Sequence, residues 1–413
     1  MELTSTECAV LGGVLAGTTF CVDADSDGDG VTDACDECPS DPAKVFAGAC
    51  GCGETDIINA LSFALTFGSS GTGAGEFDRP RGIAVDPTGR TYVCDADNDR
   101  INVFDSAGTF QFAFGSFGTG TGQFNDPRGI AVDSGGRIFV ADQLNQRVQV
   151  FDRTGNYLFM FTGTLSGSGF FLPIGIAVDA AGRVYTADPI NDRIEVFDST
   201  GGFLFMFGSL GTGDGEFDNP SGITTDDNGR IYVTEISNDR VQVFDSTGSF
   251  LFSFGSFGTG DGEFFDPIGI VVDGAGRMYV TDLQNDRVQV FDPVGAYLFS
   301  LGGFGINPGQ FDDPRGIARD ESGRIYVSDS LNNRVQVFDP VATCLVACPW
   351  DCAPPPDGNG VVNIDDLLAV LNAFGTTDVA CDNAPDNGDG TFGNGVVNID
   401  DLLGTINNFG ACP

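Results

Sequence analysis

The sequence contains no histidine, and its 413 residues include only 19 lysines and arginines against 59 aspartates and glutamates, a formal net charge of −40. Without histidine, Ser-His-Asp and Cys-His catalysts and His-ligated zinc or iron sites are excluded. The negative charge opposes binding to nucleic acid and to anionic membrane surfaces. No run of 18 apolar residues is present, so we expect no membrane-spanning helix.

The residues that are abundant are typical of a β-protein. The 59 acidic residues comprise 49 aspartates and 10 glutamates, and aspartate favours turns and calcium-binding loops over helices. Glycine (60 residues) and phenylalanine (37) are frequent, as in chains built from strands and tight turns. With 41% hydrophobic residues the chain can bury a large core, and its length predicts more than one domain.

The 12 cysteines cluster at the two ends: six precede residue 53, five lie from Cys344 onward, and Cys94 stands alone. The clusters indicate disulfide-stabilised modules and an oxidising compartment, so we expect an extracellular or cell-surface protein. Residues 9–20 are mildly apolar but follow Glu2 and Glu7, not basic residues, and do not resemble a signal peptide. We therefore expect the signal peptide to be absent from this sequence, and Cys94 to be a buried free thiol.

A repeat of 46 or 47 residues occupies the middle of the chain in six copies. Each copy holds a Pro-x-Gly-Ile motif and Asp-x-x-Gly turns between apolar or alternating runs, which predicts four strands, as in a β-propeller blade. The last copy stops after its third strand, whereas an extra strand at residues 61–68 precedes the first copy. We expect residues 61–68 to complete the sixth blade and to close the ring.

The repeated core resembles the NHL repeats of six-bladed β-propellers in all six copies, over about 280 residues. The resemblance implies an all-β propeller with four-stranded blades. Two arginines also recur in every copy, one after an Asp-x-x-Gly turn and one near an acidic residue. We interpret them as an ionic lattice that joins neighbouring blades, and a sixfold ligand site is the alternative. The two sets are Arg90, Arg137, Arg183, Arg230, Arg277, Arg324 and Arg100, Arg147, Arg193, Arg240, Arg287, Arg334.

The residue between proline and glycine in Pro-x-Gly-Ile differs among the copies. In the NHL-like arrangement it lies at the mouth of the central channel, so three arginines of neighbouring blades would form a cationic arc opposite an Ile-Ser-Ile arc, with Arg79 nearby. We predict that this arc binds a carboxylate or sulfate of a peptide or acidic glycan. The alternative is pairing with Asp78, Asp126 and Asp312. The six residues are Arg81, Arg128, Ile174, Ser221, Ile268 and Arg315.

Arg319 is a second departure from the repeat. It occupies an innermost-strand position that carries valine or threonine in the other copies. Either the sixth blade is locally open there or Arg319 meets an acidic residue in the channel. We include it among the candidate ligand-binding residues of the channel mouth.

An aspartate-rich loop near the N-terminus has calcium-loop spacing. With Asp25 at loop position 1, aspartates fall at positions 3, 5, 9 and 12 and Gly30 at position 6. The string of aspartates and cysteines resembles a thrombospondin type 3 repeat, which implies bound Ca²⁺, and a solvated acidic linker is the alternative. The predicted ligands are Asp25, Asp27, Asp29, Asp33 and Asp36.

The segment Val-Val-Asn-Ile-Asp-Asp-Leu-Leu occurs at residues 361–368 and again at 396–403, each time after an acidic glycine-rich loop. Its apolar residues share one helical face. The pair resembles a dockerin type I module, which implies a small α-helical, EF-hand-like module, Ca²⁺ in each loop and a cohesin-like partner, although Pro355 and Phe392 occupy usual ligand positions. The alternatives are a sorting or anchoring module and a disulfide-stabilised helical hairpin. The predicted ligands are Asp357, Asn359, Asn363, Asp366, Asp386, Asp389, Asn394, Asn398 and Asp401.

The sequence thus predicts three domains: a calcium segment at 1–56, a propeller at 57–341 and a dockerin-like module at 342–413. We interpret the chain as a secreted, calcium-stabilised binding protein whose propeller recognises a protein or glycan and whose C-terminus tethers it. A structural spacer in an extracellular assembly is the first alternative. A His-independent hydrolase or lyase that uses two carboxylates is the second. No such pair stands out among the copies, so we do not expect an enzyme.

Overall fold

The structure is a computed structural model that describes residues 56–163 and 172–344, with side chains from residue 61 to residue 341. In this part of the chain, 24 strands form six antiparallel sheets of four strands each. The innermost strands of the sheets contact one another in a closed ring. The predicted all-β, six-bladed propeller is therefore confirmed, and residues Ala60–Val341 form one compact unit.

The strands follow one another from the axis outward within each blade, apart from β1, which is the outer strand of blade six. The first strands are β1 (Asp56–Phe67), then, in blade one, β2 (Pro80–Val85), β3 (Thr91–Asp95), β4 (Arg100–Phe104) and β5 (Phe110–Phe114). Blade two holds β6 (Pro127–Val132), β7 (Ile138–Asp142), β8 (Arg147–Phe151) and β9 (Tyr157–Phe161). Blade three holds β10 (Gly175–Val178), β11 (Val184–Asp188), β12 (Arg193–Phe197) and β13 (Phe203–Phe207).

The remaining blades repeat this arrangement. Blade four holds β14 (Pro220–Thr225), β15 (Ile231–Glu235), β16 (Arg240–Phe244) and β17 (Phe250–Phe254). Blade five holds β18 (Pro267–Val272), β19 (Met278–Asp282), β20 (Arg287–Phe291) and β21 (Tyr297–Gly302). Blade six holds β22 (Pro314–Arg319), β23 (Ile325–Asp329) and β24 (Arg334–Cys344), next to β1. Short 3₁₀ turns lie at Ala96–Asn98, Gln143–Asn145 and Leu283–Asn285.

The ring closes as the sequence predicted, because β1 pairs with β24 and supplies the outer strand of blade six. The hydroxyl of Thr66 donates to the carbonyl of Val335 at 2.9 Å. The rings of Phe63 and Phe338 meet edge to face with centroids 6.2 Å apart. This pairing joins the two ends of the propeller and leaves no unpaired third strand in blade six.

Burial follows the two-residue period of the strands. In the second strand of every blade all five residues are buried, because both faces contact neighbouring blades. The outer strands alternate: Phe252 and Phe254 pack inward, whereas Leu251 is exposed. The apolar core is divided into six clusters, one in each seam between neighbouring blades. Each fully buried phenylalanine contributes about 2–3 kcal/mol to these seams.

The Asp-x-x-Gly turns have the hydrogen bonds that their composition predicts. In the turn that follows β18, Oδ1 of Asp273 accepts from the backbone N–H of Ala275 at 3.0 Å and of Arg277 at 2.9 Å. Gly276 has a φ of 80°, the left-handed conformation that glycine adopts without strain. These turns hold consecutive strands in register.

The recurring arginines do not form the predicted ionic lattice between blades. The Arg287–Asp282 ion pair, at 2.7 Å, lies within blade five. Arg287 Nη2 also donates to the carbonyls of Gly260 and Glu263, in the link that enters from blade four. In the other set, the Arg137 guanidinium donates to the carbonyl of Ser199 in the next blade at 2.8 Å. The ion pairs of these recurring arginines are therefore internal to blades. Their contacts across the seams go to backbone carbonyls, because the long arginine side chain reaches past its own aspartate to the next segment of chain.

The predicted terminal modules lie outside the described residues. They comprise the calcium segment, most of the dockerin-like region and the EF-hand-like helices expected there. Among the described cysteines, Cys94 is a buried free thiol, as the sequence predicted.

Candidate binding site at the channel mouth

The Pro-x-Gly-Ile motifs of all six blades converge on the propeller axis. Their x, Gly and Ile residues, together with Ile236, line one cavity of about 150 Å³ at the start of the innermost strands. We call this cavity the channel mouth. The structure therefore brings together the six variable residues named from the sequence, which are Arg81, Arg128, Ile174, Ser221, Ile268 and Arg315.

Glycine is required in each motif because the innermost strands approach one another closely. A Cβ atom added to Gly82 would collide with the carbonyl oxygen of Arg128, and one added to Gly269 would collide with that of Arg315. The same contact recurs in all six seams. The glycines thus set the diameter of the ring, and the residue before each glycine is held at the edge of the cavity.

Hydroxyl groups join the innermost strands on one side of the ring. The hydroxyl of Thr281 accepts from the N–H of Gly269 and donates to the carbonyl of Arg315 in the next blade, both at 2.7 Å. Thr234 and Ser328 make the equivalent bonds in blades four and six. Cys94 holds this position in blade one, and alanine holds it in blades two and three. Three seams are therefore bridged by a hydroxyl, and three are closed by packing.

Arg128 and Arg315 each pair with an aspartate of their own strand entrance. Arg128 donates from Nε and Nη2 to Asp126, both at 3.0 Å, and Arg315 donates from Nε to Asp313 at 2.8 Å. Of the three partners considered from the sequence, Asp126 is therefore the one used. The sequence analysis named Asp312 instead of its neighbour Asp313 as the partner of Arg315. Which of the two aspartates faces Arg315 depends on the backbone conformation just before strand β22, and the sequence pattern does not determine that conformation.

Arg81 lies between these two arginines and lacks a comparable partner. Its side chain is 13% exposed, its Nε is 3.7 Å from Asp126, and this buried Nε makes no hydrogen bond to any described residue. Burial, together with the charges of Arg128 and Arg315, lowers the pKa of Arg81 from 12.5 to about 10, and Asp126 and Asp97 oppose this only in part. The cationic arc, as we call Arg81, Arg128 and Arg315, thus holds one guanidinium whose charge is incompletely compensated.

The opposite side of the mouth is apolar. Ile174 and Ile268 line it, and Ser221 between them is buried. An anion bound here would meet forked N–H donors on one side, and the rest of its molecule would meet hydrocarbon on the other. The cavity volume of about 150 Å³ suits one such group, because cavities of that size hold a benzene-sized molecule.

Two candidate residues lie away from this arc. Arg79, with a left-handed φ of 51°, is half exposed and bonds to Asp97 at 2.6 Å, so its charge is paired outside the cavity. Arg319 lies at the far end of strand β22 and lines a second cavity at the opposite end of the axis. It therefore does not belong to the channel mouth, where the sequence analysis grouped it.

Exposed apolar side chains lie on the face that holds the mouth. They belong to the turns between the second and third strands of their blades. These turns lie beside the Pro-x-Gly-Ile motifs, because their backbone N–H groups donate to carbonyls just before the motif, as Leu144 N–H does to the carbonyl of Asn125. The sequence analysis missed these residues, although this turn position differs in polarity from copy to copy. They are Leu144, Ile190 and Leu331, each about half exposed.

The predicted calcium ligands of both termini lie outside the described residues. In the part of the chain that the structure describes, no group of three or more acidic or cysteine side chains is placed to hold a metal ion. No helix found there is long and apolar enough to cross a membrane.

The fold is a six-bladed β-propeller with a cavity at one end of its axis. A family model described as NHL repeat matches residues 77–104, 124–151, 217–244 and 311–338, which fall on blades one, two, four and six. The chain therefore contains NHL repeats, and this fold supports a role as a binding scaffold.

Known proteins share parts of this architecture. The chain is 49% identical to Protein lin-41 of Caenorhabditis elegans over 55 residues, which are 13% of this chain and 5% of lin-41. A structural genomics protein of unknown function from Bacteroides thetaiotaomicron has 18% identity and a TM-score of 0.55, over 68% of this chain and 76% of its own. A gluconolactonase from Xanthomonas campestris has 15% identity and a TM-score of 0.50, over 69% and 99%. At these identities the two structures show a common fold and nothing further.

Proposed function

We propose that the protein is a binding scaffold whose channel mouth captures a carboxylate or sulfate group carried by a peptide or an acidic glycan. The observation that carries the proposal is the buried, incompletely paired guanidinium of Arg81 between two further arginines. In a chain of net charge −40, three converging arginines create a local cationic site. An anion there would supply the acceptor that Arg81 lacks.

The remaining surface of this face suits a macromolecular ligand. Leu144, Ile190 and Leu331 are exposed around the mouth, and a large ligand could bury this hydrocarbon while its anionic group enters the mouth. The overall negative charge repels indiscriminate polyanions, so the bound anion would be presented as a single group that enters the mouth. The match to lin-41 is too short to carry a partner to this chain.

The repeat itself offers a matched variant for the test. Replacing the arc by the residues of blades three to five, as Arg81→Ile, Arg128→Ser and Arg315→Ile, retains side chains that the same slot accepts elsewhere in the ring. The probes are an aspartate- and glutamate-rich peptide, a uronic acid oligosaccharide and a sulfated oligosaccharide, titrated into the full chain. We expect at least one to bind in a salt-dependent manner and the triple variant to lose about 100-fold or more in affinity, since each charged hydrogen bond is worth about 1.5–3 kcal/mol.

Arg79→Gln is the matched control, because Arg79 lies on the same face but is paired outside the cavity. It removes one positive charge and should change affinity by less than about threefold, as expected for an exposed ion pair. Equal losses in the control and the triple variant would show that general surface charge, and not the mouth, attracts the ligand. Binding of none of the probes would favour the spacer interpretation.

We further propose that the N-terminal segment and the C-terminal module bind Ca²⁺. The support is the spacing of aspartate and asparagine residues in the sequence, with Asp27 and Asp29 at the centre of the first loop. Calorimetric titration of the calcium-free full chain should show saturable heat that decreases when Asp27→Asn and Asp29→Asn are combined. An unchanged titration would remove the N-terminal site from the proposal.

The same terminal regions support a proposal of location and tethering. We propose that the protein acts outside the cell or at its surface, and that the dockerin-like repeat at 361–403 attaches it to a cohesin-like partner. The cysteine clusters and the loop–helix pattern of the sequence are the support. A calcium-dependent pull-down with the full chain should capture a partner that a chelator releases and that a variant with Asp366→Ala and Asp401→Ala fails to capture.

A further inference from the structure

A second cavity lies at the end of the axis opposite the channel mouth. The innermost strands of blades six, one and two end there at Arg319, Val85 and Val132, and these residues with their following turns enclose about 200 Å³. Its walls carry one guanidinium, from Arg319, and several carboxylates, including that of Glu321. The cavity is independent of the channel mouth and is not used in the function proposed above.

The guanidinium of Arg319 has no partner among the described residues. Its Nε is buried and makes no hydrogen bond, and no carboxylate in the described ranges forms an ion pair with it. At the same position valine occurs in four other blades, so the propeller does not need a cation here to form the strand. A buried N–H donor without an acceptor costs stability, because it has lost its hydrogen bonds to water and gained none in the protein.

The nearby aspartates do not pair with Arg319, because each is used by its own turn. The carboxylates of Asp86, Asp133 and Asp320 each accept a hydrogen bond from the side chain of a tyrosine or arginine four or six residues further along the chain. They add negative potential to the cavity but offer no free acceptor directed at Arg319. Glu321, by contrast, is exposed and is not bonded by any described side chain. The bonds are Tyr92 to Asp86 at 3.1 Å, Arg137 to Asp133 at 2.6 Å and Tyr326 to Asp320 at 3.0 Å.

We propose that this second cavity binds a small zwitterion of the α-amino acid class, with its carboxylate on Arg319 and its ammonium group toward Glu321 and the aspartates. A simple anion would be repelled by the surrounding carboxylates, and a simple cation would leave the guanidinium of Arg319 without an acceptor. A molecule that carries both charges on neighbouring atoms satisfies both parts of the wall. The volume of about 200 Å³ limits the ligand to about eight non-hydrogen atoms, since about 150 Å³ accommodates benzene.

The test uses the full chain and compares L-alanine with its two halves, propionate and ethylamine, by calorimetry and ligand-detected NMR. Concentrations reach about 50 mM, because a ligand of six atoms at ordinary efficiency binds in the millimolar range. We expect L-alanine to bind saturably and each half to bind at least about 10-fold more weakly, the loss of one charged contact. Equal binding of propionate, or no binding of alanine, would overturn the proposal.

Arg319→Val provides the matched variant, because Val85 and Val132 fill the same slot in the neighbouring blades. It should fold with an unchanged or higher Tm and lose alanine binding, whereas the channel-mouth triple variant should retain it. Glu321→Gln should weaken alanine at least about threefold and leave propionate unchanged or tighter. Alanine binding that survives Arg319→Val would place the ligand elsewhere and would refute the assignment, whatever the outcome at the channel mouth.

Discussion

Replacing Arg81 with isoleucine should make the propeller more stable while it removes anion binding. Isoleucine occupies the same slot in blades three and five, as Ile174 and Ile268, so the substitution introduces no foreign shape. The arginine it replaces is buried beside two other arginines, and its Nε makes no hydrogen bond to a described residue. The variant therefore distinguishes two effects of the Arg81 charge: the stability that the folded chain loses by burying it and the anion binding that it provides.

The structure provides the magnitude. The pKa of Arg81 falls from 12.5 to about 10 in the folded state. At about 1.4 kcal/mol per pKa unit, the charged form of this side chain destabilises the folded state by about 3 kcal/mol. The side chain is only 13% exposed, so solvent screens little of this cost. We take about 3 kcal/mol as an upper value and expect Arg81→Ile to raise the unfolding free energy by about 1–3 kcal/mol. For a domain of this size that is a Tm increase of about 2–5 °C.

The sign of the pH dependence follows from the same pKa. A base whose pKa is lower in the folded state destabilises that state while it is protonated, and the cost is relieved as the pH rises through the folded value of about 10. The difference in Tm between Arg81→Ile and the natural chain should therefore be constant near neutral pH and shrink above about pH 10. Thermal melts followed by circular dichroism at several pH values measure it.

Arg128→Ile is the control, because Arg128 makes two hydrogen bonds to Asp126 at 3.0 Å that the substitution removes. It should lower the Tm or leave it unchanged. Sulfate should stabilise the natural chain and not Arg81→Ile, since a ligand at 100 times its Kd adds about 2.7 kcal/mol. A Tm that falls as far in Arg81→Ile as in Arg128→Ile would refute the reasoning, because Arg81 would then be a paired structural residue.

Three further predictions, two of them with a control substitution, test the fold. Arg287→Met leaves its fully buried partner Asp282 without a cation and should cost about 3–5 kcal/mol at pH 7 by urea unfolding. The cost should shrink as the pH falls, because burial raises the pKa of that carboxyl and protonation removes its charge. Arg324→Met, at a partly exposed pair, should cost about 0–1 kcal/mol in the same assay. Cys94→Ser should add the missing hydroxyl bridge to the next blade and gain about 0.5–1.5 kcal/mol, and a lower Tm would contradict that bridge. Gly269→Ala places a methyl group against the carbonyl of Arg315 in the next blade and should lower the Tm by several degrees. Gly274→Ala is the control, because its methyl group would enter open space and should leave the Tm unchanged. Equal Tm values for the two variants would show that the ring is loosely packed.

The repeat made much of the fold predictable. Its period predicted the blades, the alternation within each copy predicted their strands, and the surplus strand at residues 61–68 predicted how the ring closes. The comparison of copies also placed Arg81, Arg128 and Arg315 at one mouth. The blades and their strands depend on backbone pairing within one copy, which every copy repeats, and the closing strand follows from the order of the chain.

Details of the site were decided by the tertiary structure. Asp313 pairs with Arg315, Arg81 remains incompletely paired, and Arg319 lies in a separate cavity at the other end of the axis. Each outcome depends on the angle between neighbouring blades and on side chains from different copies that meet only after the ring has closed. The sequence by itself determined which residues surround the axis. The distances between these residues, their hydrogen-bond partners and the incompletely paired charge of Arg81 were decided by the tertiary structure. The reason is that the side chains that differ among the copies meet only where six similar blades pack against one another.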